Sequence, residues 1–294
     1  MKYPEKTDLH MHTTVSDGTD TPEKLIDRVK EAGITFFSVT DHDAVKGCVR
    51  IARALTAEDP GFLPGVEFSC RDELGQYHIL GYGYDADAAP IKRIVEKGHT
   101  FRMSKLEKRL SFLQKQFGFV FSREDRDALF SLDNPGKPHI ANMMVKYGYA
   151  RDKEEAIRGY LNRIASGGEY VRPEEAIAAV IASGGVPVLA HPSFGRGDEL
   201  ITGGEMEARL DRLTAFGLQG VEAFYSGFSK QLRDEMLGLA ARRSLYVTAG
   251  SDYHGQNKQV RLGDTGLTGA EEYPEGLRRF LDRVTNGKNT GGNV

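Results

Sequence analysis

The chain has 294 residues, which is enough for a large buried core and suits one α/β barrel, or one domain with an insertion, better than two domains of equal rank. Its formal net charge of -3 gives no basic footprint for long duplex nucleic acid, although a local patch could still hold a phosphate. Because the two cysteines are too few for a disulfide framework, and no signal peptide or apolar run of membrane-spanning length is present, we expect a soluble cytoplasmic protein without a membrane partner.

The first third of the chain alternates between predicted strands and helices. After a first strand that leads into His10 and His12, the residues Thr21-Pro22-Glu23 are typical of a helix start, and Gly33 ends that helix. Hydrophobic patterning then predicts a strand over 34–40, a helix over about 44–57 and a strand over 62–69. A further strand is expected over 77–84, either as the second half of a hairpin or after a short crossover.

The middle of the chain has a different character. From about residue 85 to 168 no segment has a strand pattern, charged residues are frequent and apolar residues recur at helical spacing, as in Leu106, Leu110 and Leu113. We therefore predict a helical insertion over 85–168 that covers the active site. Alternation then resumes with helices over 173–184, 205–216, 229–243 and from about 274, and with strands over 186–191, 220–225 and 245–251.

Sequential strand and helix units predict a mainly parallel sheet, and about seven strands favour a closed barrel over an open sheet. The predicted fold class is α/β: a distorted (β/α)7-type barrel, built from residues 1–84 and 169–294, with the helical insertion between them. In such a barrel the carboxyl ends of the strands share one face, so residues that are distant in sequence converge there.

Potential metal ligands follow these apolar strands repeatedly. They are His10 and His12, then His42, Glu67, His191, and finally Asp252 with His254. One histidine at the end of one buried strand is more often a hydrogen-bonded core residue than a ligand, but chance placement at every strand is hard to sustain. Histidines and carboxylates without cysteine suit Mn, Fe or Zn, and a bridging carboxylate such as Glu67 would suit a multinuclear site.

Six stretches of the chain resemble the PHP (polymerase and histidinol phosphatase) family of metal-dependent phosphoesterases. They are Asp8-Leu-His10-Met-His12-Thr-Thr-Val-Ser-Asp17-Gly18, Val39-Thr-Asp-His42-Asp43, Gly65-Val-Glu67-Phe-Ser69, His78-Ile-Leu-Gly-Tyr82, Ala190-His191-Pro192 and Gly250-Ser-Asp252-Tyr-His254-Gly255. The resemblance implies up to three divalent ions. It assigns the first ion to His10, His12, Glu67 and Asp252, the second to Glu67, His78 and His191, and the third to Asp17, His42 and His254.

Within this family the chain is most similar to a stand-alone branch that includes nucleotide phosphatases and a 5'-to-3' exoribonuclease. There, the insertion carries a Gly-Arg-Pro-His stretch over the substrate, whereas this chain has Gly136-Lys137-Pro138-His139 and so offers a point charge in place of a planar guanidinium. The branch also has His-Pro-Gly-Arg where this chain has His191-Pro192-Ser193-Phe194, so Arg196 is a candidate replacement. The expected substrate contacts are Arg102, Lys137, His139 and Arg196.

The resulting hypothesis is a phosphoesterase that hydrolyses a nucleoside 3',5'-bisphosphate, a mononucleotide or a short oligonucleotide by means of a metal-bridging hydroxide. Asp41, His191 and His254 are its candidate catalytic residues, with Asp41 as either a proton acceptor or an orienting partner of His42. Three alternatives remain: a histidinol phosphatase, an amidohydrolase-like metallohydrolase and a non-catalytic scaffold. No predicted barrel strand ends in the lysine that the second would need, and the ligand set is too complete for the third.

Overall fold

The computed structural model describes residues 3–164, 170–195, 199–267, 269 and 273–286. Within these residues seven strands form one sheet in chain order. The strands are β1 (Thr7–Asp8), β2 (Phe36–Val39), β3 (Gly61–Arg71), β4 (Gln76–Tyr82), β5 (Val186–Leu189), β6 (Gly220–Tyr225) and β7 (Tyr246–Gly250).

Helices lie between most of these strands and again after the last one. They are α1 (Pro22–Glu31), α2 (Lys46–Ala54), α3 (Ala89–Phe117), α4 (Arg123–Phe130), α5 (Lys137–Lys146), α6 (Pro173–Ala182), α7 (Gly203–Ala215), α8 (Lys230–Arg242) and α9 (Glu275–Asn286), with a π-helix at Glu155–Tyr160 and short 3₁₀ helices at Leu161–Arg163 and Gly255–Asn257. The predicted start of α1 is confirmed, because the Thr21 side chain accepts a hydrogen bond from the Lys24 amide at 3.2 Å. No helix of the described residues combines the length and apolar composition that a membrane span requires.

The sheet closes into the predicted barrel. Strands β1, β2 and β3 are parallel, as are β5, β6 and β7. The first and last strands meet where the Leu9 amide donates to the Ala249 carbonyl at 2.8 Å and Met11 bridges to Tyr253. Regular pairing of β1 ends at Asp8, so His10 and His12 lie on an extended stretch beyond the strand rather than on the strand itself.

Strand β4 is antiparallel to both of its neighbours. It forms a hairpin with β3, and the Asp72 carboxylate accepts hydrogen bonds from the Leu74 and Gly75 amides in the turn. The sequence left this connection open between a hairpin and a crossover. Because the strand is reversed, its beginning lies at the face where the parallel strands end, and His78 pairs with Ser69 there.

Apolar side chains form three separate cores. The largest lies between the barrel and the helices around it, and a second lies under α1 and α2. The third core belongs to the helical segment between β4 and α6 alone, with Leu106, Leu113, Ile140 and Met144 fully buried in it. This segment therefore has hydrophobic packing of its own.

Candidate metal centre

The potential ligands meet at one end of the barrel. His10 and His12 follow β1, His42 follows β2, and His191 follows β5, while Asp252 and His254 follow β7. Backbone hydrogen bonds join the segment after β1 to the segment after β7. The His12 amide donates to the Tyr253 carbonyl at 2.8 Å, and the Asp252 amide donates to the His10 carbonyl at 2.7 Å. The first and last strands thus present their ligands side by side.

Glu67 lies at the centre of this group and is 1% exposed. Its Oε2 atom is 3.2 Å from His12 Nε2, 3.3 Å from His10 Nε2 and 3.1 Å from His42 Nδ1. Its Oε1 atom is 2.7 Å from His78 Nδ1 and 3.2 Å from His191 Nε2. A carboxylate with imidazoles around both oxygens has the geometry of a bridging ligand.

Two further carboxylates complete the cluster. Asp252 Oδ1 is 3.5 Å from His10 Nε2 and 3.3 Å from His12 Nε2. Asp17, on the loop after the first strand, is 3.3 Å from His254 Nε2 and 4.0 Å from His42 Nε2. The side chains fall into three overlapping groups that could each hold an ion: His12, Asp17, His42 and His254; His10, His12 and Glu67; and His42, Glu67 and His78.

A divalent cation fits these residues because their inward-facing atoms lie against one another and form no hydrogen bond among the described residues. Five buried ligand atoms lack a hydrogen bond among the described residues: His10 Nε2, His12 Nε2, Asp17 Oδ1, His42 Nδ1 and Glu67 Oε2. Buried polar atoms are nearly always hydrogen-bonded, so a group of five that face one another indicates a binding site rather than a core.

The imidazoles and carboxylates of the cluster shift the pKa values of one another. Burial disfavours a charge on His12, yet the carboxylates of Asp252 and Glu67 outweigh it and raise the pKa of His12 to about 9. Burial would raise the pKa of Glu67, but the surrounding imidazoles hold it well below its usual range. The carboxylates are therefore negatively charged at neutral pH, as ligands of a cation must be.

Two of the ligands have an unusual backbone conformation. The φ angle is 28° at His191 and 57° at Asp252, in the left-handed region that non-glycine residues rarely adopt. Such conformations persist only where the surroundings enforce them, and they concentrate at functional sites. Here they turn the chain directly after β5 and β7, so that both side chains reach the cluster.

Glu222 contacts two of the potential ligands and was not predicted from the sequence. It is fully buried in β6, where one oxygen lies 3.0 Å from His10 Nδ1 and the other accepts a hydrogen bond from the His191 amide at 2.8 Å. A carboxylate behind a ligating histidine fixes the orientation of the ring. A glutamate inside an otherwise apolar strand was the available signal, because such residues are rarely buried without a partner.

Tyr225 and Lys258 contact the second carboxylate oxygen of Asp252, Oδ2. The Tyr225 hydroxyl donates to Asp252 Oδ2 at 3.0 Å and accepts from Lys258 Nζ at 2.8 Å, and Lys258 Nζ also contacts the same Asp252 oxygen. Tyr225 is buried, and its hydrogen bond joins it to a potential ligand.

Asp41 has a different environment from the one predicted. One of its oxygens accepts hydrogen bonds from the Thr13 amide and the Ser16 hydroxyl, both at 2.8 Å, and the other accepts from the Thr13 hydroxyl at 2.7 Å. No hydrogen bond to His42 is present. Asp41 thus fastens the loop that carries Asp17.

Three of the four predicted substrate contacts lie in the helical segment. Arg102 is bound to Asp43 Oδ2 at 2.8 Å and to the Ser69 hydroxyl at 3.1 Å, and Lys137 Nζ bonds Asn162 at 2.7 Å. His139 is half-buried at the start of α5, where its Nδ1 accepts from the Gly136 amide. Arg196 lies outside the described residues.

The helical segment also contacts the ligand loops directly. A Cβ atom at Gly136 would lie 2.8 Å from Asp17 Oδ2, so only glycine permits this approach without a shift. Asn134, which is 2% exposed, donates to the carbonyls of His42 and Asp43 at 2.9 and 3.0 Å and pairs with His99. These contacts place the segment against the metal cluster.

Comparison with known proteins identifies similar chains. The sequence profile of the PHP domain matches residues 8–171. The chain is 30% identical to a 3',5'-nucleoside bisphosphate phosphatase of Chromobacterium violaceum, over 89% of this chain and 90% of the relative, and 30% identical to the 5'-3' exoribonuclease Rnm of Salmonella typhimurium, over 87% of each. A candidate metal-dependent phosphoesterase from Bifidobacterium adolescentis has a similar structure, with a TM-score of 0.79, 30% identity and coverage of 94% and 96% of the two chains.

Proposed function

The chain belongs to the PHP domain family of metal-dependent phosphoesterases, and on that basis we propose that it hydrolyses phosphate esters of nucleotides. The substrate is a nucleoside 3',5'-bisphosphate, a mononucleotide or a short oligonucleotide. Relatives named as a bisphosphate phosphatase and an exoribonuclease support this substrate class. The histidinol phosphatase, amidohydrolase-like and non-catalytic alternatives are not favoured, because relatives named as a nucleotide phosphatase and an exoribonuclease match most of the chain.

The observation that carries the proposal is the set of buried ligand atoms around Glu67 that face one another and form no hydrogen bond among the described residues. His10, His12, Glu67 and Asp252 would hold one ion, His78 and His191 would share Glu67 with a second, and Asp17, His42 and His254 would hold a third. Mn, Fe or Zn suits these donors. When bound, such ions would lower the pKa of a water molecule so that hydroxide is available to attack phosphorus, and they would neutralise charge on the phosphoryl oxygens.

The remaining residues of the site keep this arrangement in place. Glu222 holds His10, while Tyr225 and Lys258 fix the second oxygen of Asp252. Because its oxygens accept three hydrogen bonds, we assign Asp41 a positioning role in place of the proton transfer considered from the sequence. His191 and His254 remain proposed as ligands that also face the reacting phosphate.

The helical segment over 85–168 is proposed to be a subdomain that covers the site. Its separate core and the close approach of Gly136 to Asp17 support this division. Lys137 and His139 would then contact a bound phosphate from above. Arg102, whose guanidinium is already paired with Asp43, would shape the wall of the site.

Phosphate release by the Mn-loaded protein tests the proposal. The substrates are adenosine 3',5'-bisphosphate, AMP, a short 5'-phosphorylated oligonucleotide and histidinol phosphate, with products identified by mass. We expect release from one or more of the nucleotides and little from histidinol phosphate. Preference for histidinol phosphate would assign the protein to a different substrate class within the family.

Two variants connect that activity to the metal cluster. Asp252→Ala and His254→Ala should lose bound metal and turnover together, because both residues belong to the proposed ligand set. Asp87→Asn removes an exposed carboxylate of the surface and serves as the control. Full turnover by Asp252→Ala, with no bound metal, would contradict the mechanism.

A further inference from the structure

Three basic residues share one face of α3 beside the metal centre. Arg102, Lys105 and Arg109 are spaced three and four residues apart, so their side chains lie in one row along the helix. We call this row the basic stripe. Apolar residues of the same helix, such as Leu106 and Leu110, pack into the core of the insertion instead.

The stripe begins at the metal centre and leads away from it. Arg102 bonds the hydroxyl of Ser69, which pairs with His78 in the β3–β4 ladder. From Arg102, the rise of an α-helix places Lys105 about 4.5 Å and Arg109 roughly 10 Å farther along the axis. A ligand with one phosphate at the cluster could therefore extend along the stripe.

The outer two residues of the stripe have no acidic partner within the described part of the chain, where Arg102 pairs with Asp43 but neither Lys105 nor Arg109 forms an ion pair. Burial, together with the nearby Arg102 guanidinium, lowers the pKa of Lys105 to about 7. Burial also lowers the pKa of Arg109 to about 10. Lys105 and Arg109 are half-buried, and a partly desolvated cation without a counterion costs free energy, which a bound anion would recover.

An aromatic ring lies beside the stripe. Lys105 Nζ is 3.9 Å from the centre of the Tyr170 ring, and the Arg71 guanidinium is 5.9 Å from it. The residue after Tyr170 is tied to the end of β3, because the Arg71 amide donates to the Val171 carbonyl at 2.9 Å. Basic side chains interleaved with an aromatic ring form the usual surface for a single nucleotide strand.

We propose that the basic stripe binds a second phosphate group of the substrate, one that is not hydrolysed. This inference rests on the proposed nucleotide phosphoesterase function and extends it to Lys105, Arg109 and Tyr170. The second phosphate comes either from a nucleoside bisphosphate or from the next phosphodiester of an oligonucleotide. In both cases Lys105 and Arg109 contact its oxygens, and Tyr170 offers a surface for the adjoining nucleoside.

Steady-state kinetics of the Mn-loaded protein test this site. The substrates are adenosine 3',5'-bisphosphate, a 5'-phosphorylated oligonucleotide and an aryl phosphate with a single phosphate group. Lys105→Ala and Arg109→Ala should each raise KM for the substrates with two or more phosphates by about tenfold or more, the effect of one lost charge-assisted hydrogen bond. Hydrolysis of the aryl phosphate should not change, and Lys105→Arg should restore part of the affinity.

Lys115→Ala is the matched control, because Lys115 is an exposed lysine of the same helix outside the stripe. An effect confined to the bisphosphate, or confined to the oligonucleotide, would identify the source of the second phosphate. Equal losses on all three substrates, or no loss on any, would overturn the proposal. If the protein hydrolyses none of them, calorimetric binding of the bisphosphate decides the question: weaker binding by Lys105→Ala supports the site, and unchanged binding rejects it.

Discussion

Single side chains behind the ligands determine how well the cluster can bind metal. Glu222 holds His10 through a ring nitrogen and His191 through its backbone amide. The second contact matters because His191 adopts a left-handed conformation that the chain does not favour on its own. One buried carboxylate therefore orients two potential ligands, one from the segment after β1 and one from the segment after β5.

Glu222→Gln should weaken metal binding by about 10- to 100-fold, the usual effect of removing a carboxylate behind a ligating histidine. The amide keeps the size of the side chain but removes its charge. Competition with a chromogenic chelator measures the affinity, and circular dichroism monitors the fold. Wild-type affinity in this variant, with Asp87→Asn as the control, would mean that His10 is oriented by other contacts.

The positive charge of Lys105, which is proposed to bind a phosphate, should lower the folding stability of the protein. Its pKa of about 7 is below the ordinary value for lysine, so between about pH 7 and pH 10 the unfolded chain binds more protons than the folded chain. The stability of the wild-type protein should consequently rise with pH across this window. Lys105→Met, which lacks the buried charge, should be more stable at pH 7 by about 1–2 kcal/mol.

Thermal unfolding at about pH 7 and pH 10 tests this expectation. The advantage of Lys105→Met should shrink at the higher pH, where the lysine of the folded wild-type protein is neutral. The exposed Lys115→Met change should alter neither value. A variant that is less stable than wild type at pH 7 would show that the ammonium group is well compensated in the folded state.

The elements follow the sequence closely where local patterns decide the structure. Proline and the Thr21 cap predicted the start of α1, and alternating apolar segments predicted the order of strands and helices. The direction of β4 could not be deduced in the same way, because a short turn and a short crossover have similar residues. That direction depends on which neighbours the strand pairs with, and it is what brings His78 to the ligand face.

The site was predictable from the sequence where histidines and carboxylates recur at the ends of apolar strands. His10, His12 and His42 could be grouped from their positions alone, since parallel strands share a face. The roles of Glu222, Tyr225 and Lys258 depend on contacts between β6, β7 and the loop after β7, which no local pattern specifies. The hydrogen bonds of Asp41 to Thr13 and Ser16 likewise depend on tertiary packing.

The helical insertion should behave as a separate cooperative unit. Leu113 is fully buried in the insertion core, which is distinct from the barrel core. Leu113→Ala should cost about 2–5 kcal/mol and should increase amide hydrogen exchange in α3 and α5 while β5 to β7 stay protected. Leu213→Ala, in the barrel core, should give the reverse pattern. Equal increases in both regions would mean that the chain unfolds as one unit.

At the scale of the whole molecule, the cluster of potential ligands lies where the first strand of the barrel meets the last. Its potential ligands come from β1, β2, β3, β4, β5 and β7 or from the residues after them, and the cluster concentrates three carboxylates in a buried space. Ions bound there would link the first strand to the last and compensate charges that otherwise rely on protonated histidines.

Metal binding should therefore stabilise the entire barrel. Addition of Mn to protein stripped with a chelator should raise Tm, because a ligand that binds only the folded state at about 100 times its Kd stabilises that state by about 2.7 kcal/mol. Asp252→Ala should lose most of this increase, and metal analysis should count up to three ions per wild-type chain. An unchanged Tm, at Mn concentrations that saturate activity, would place the ions outside the cluster around Glu67, since ions bound within it would join strands that must separate on unfolding.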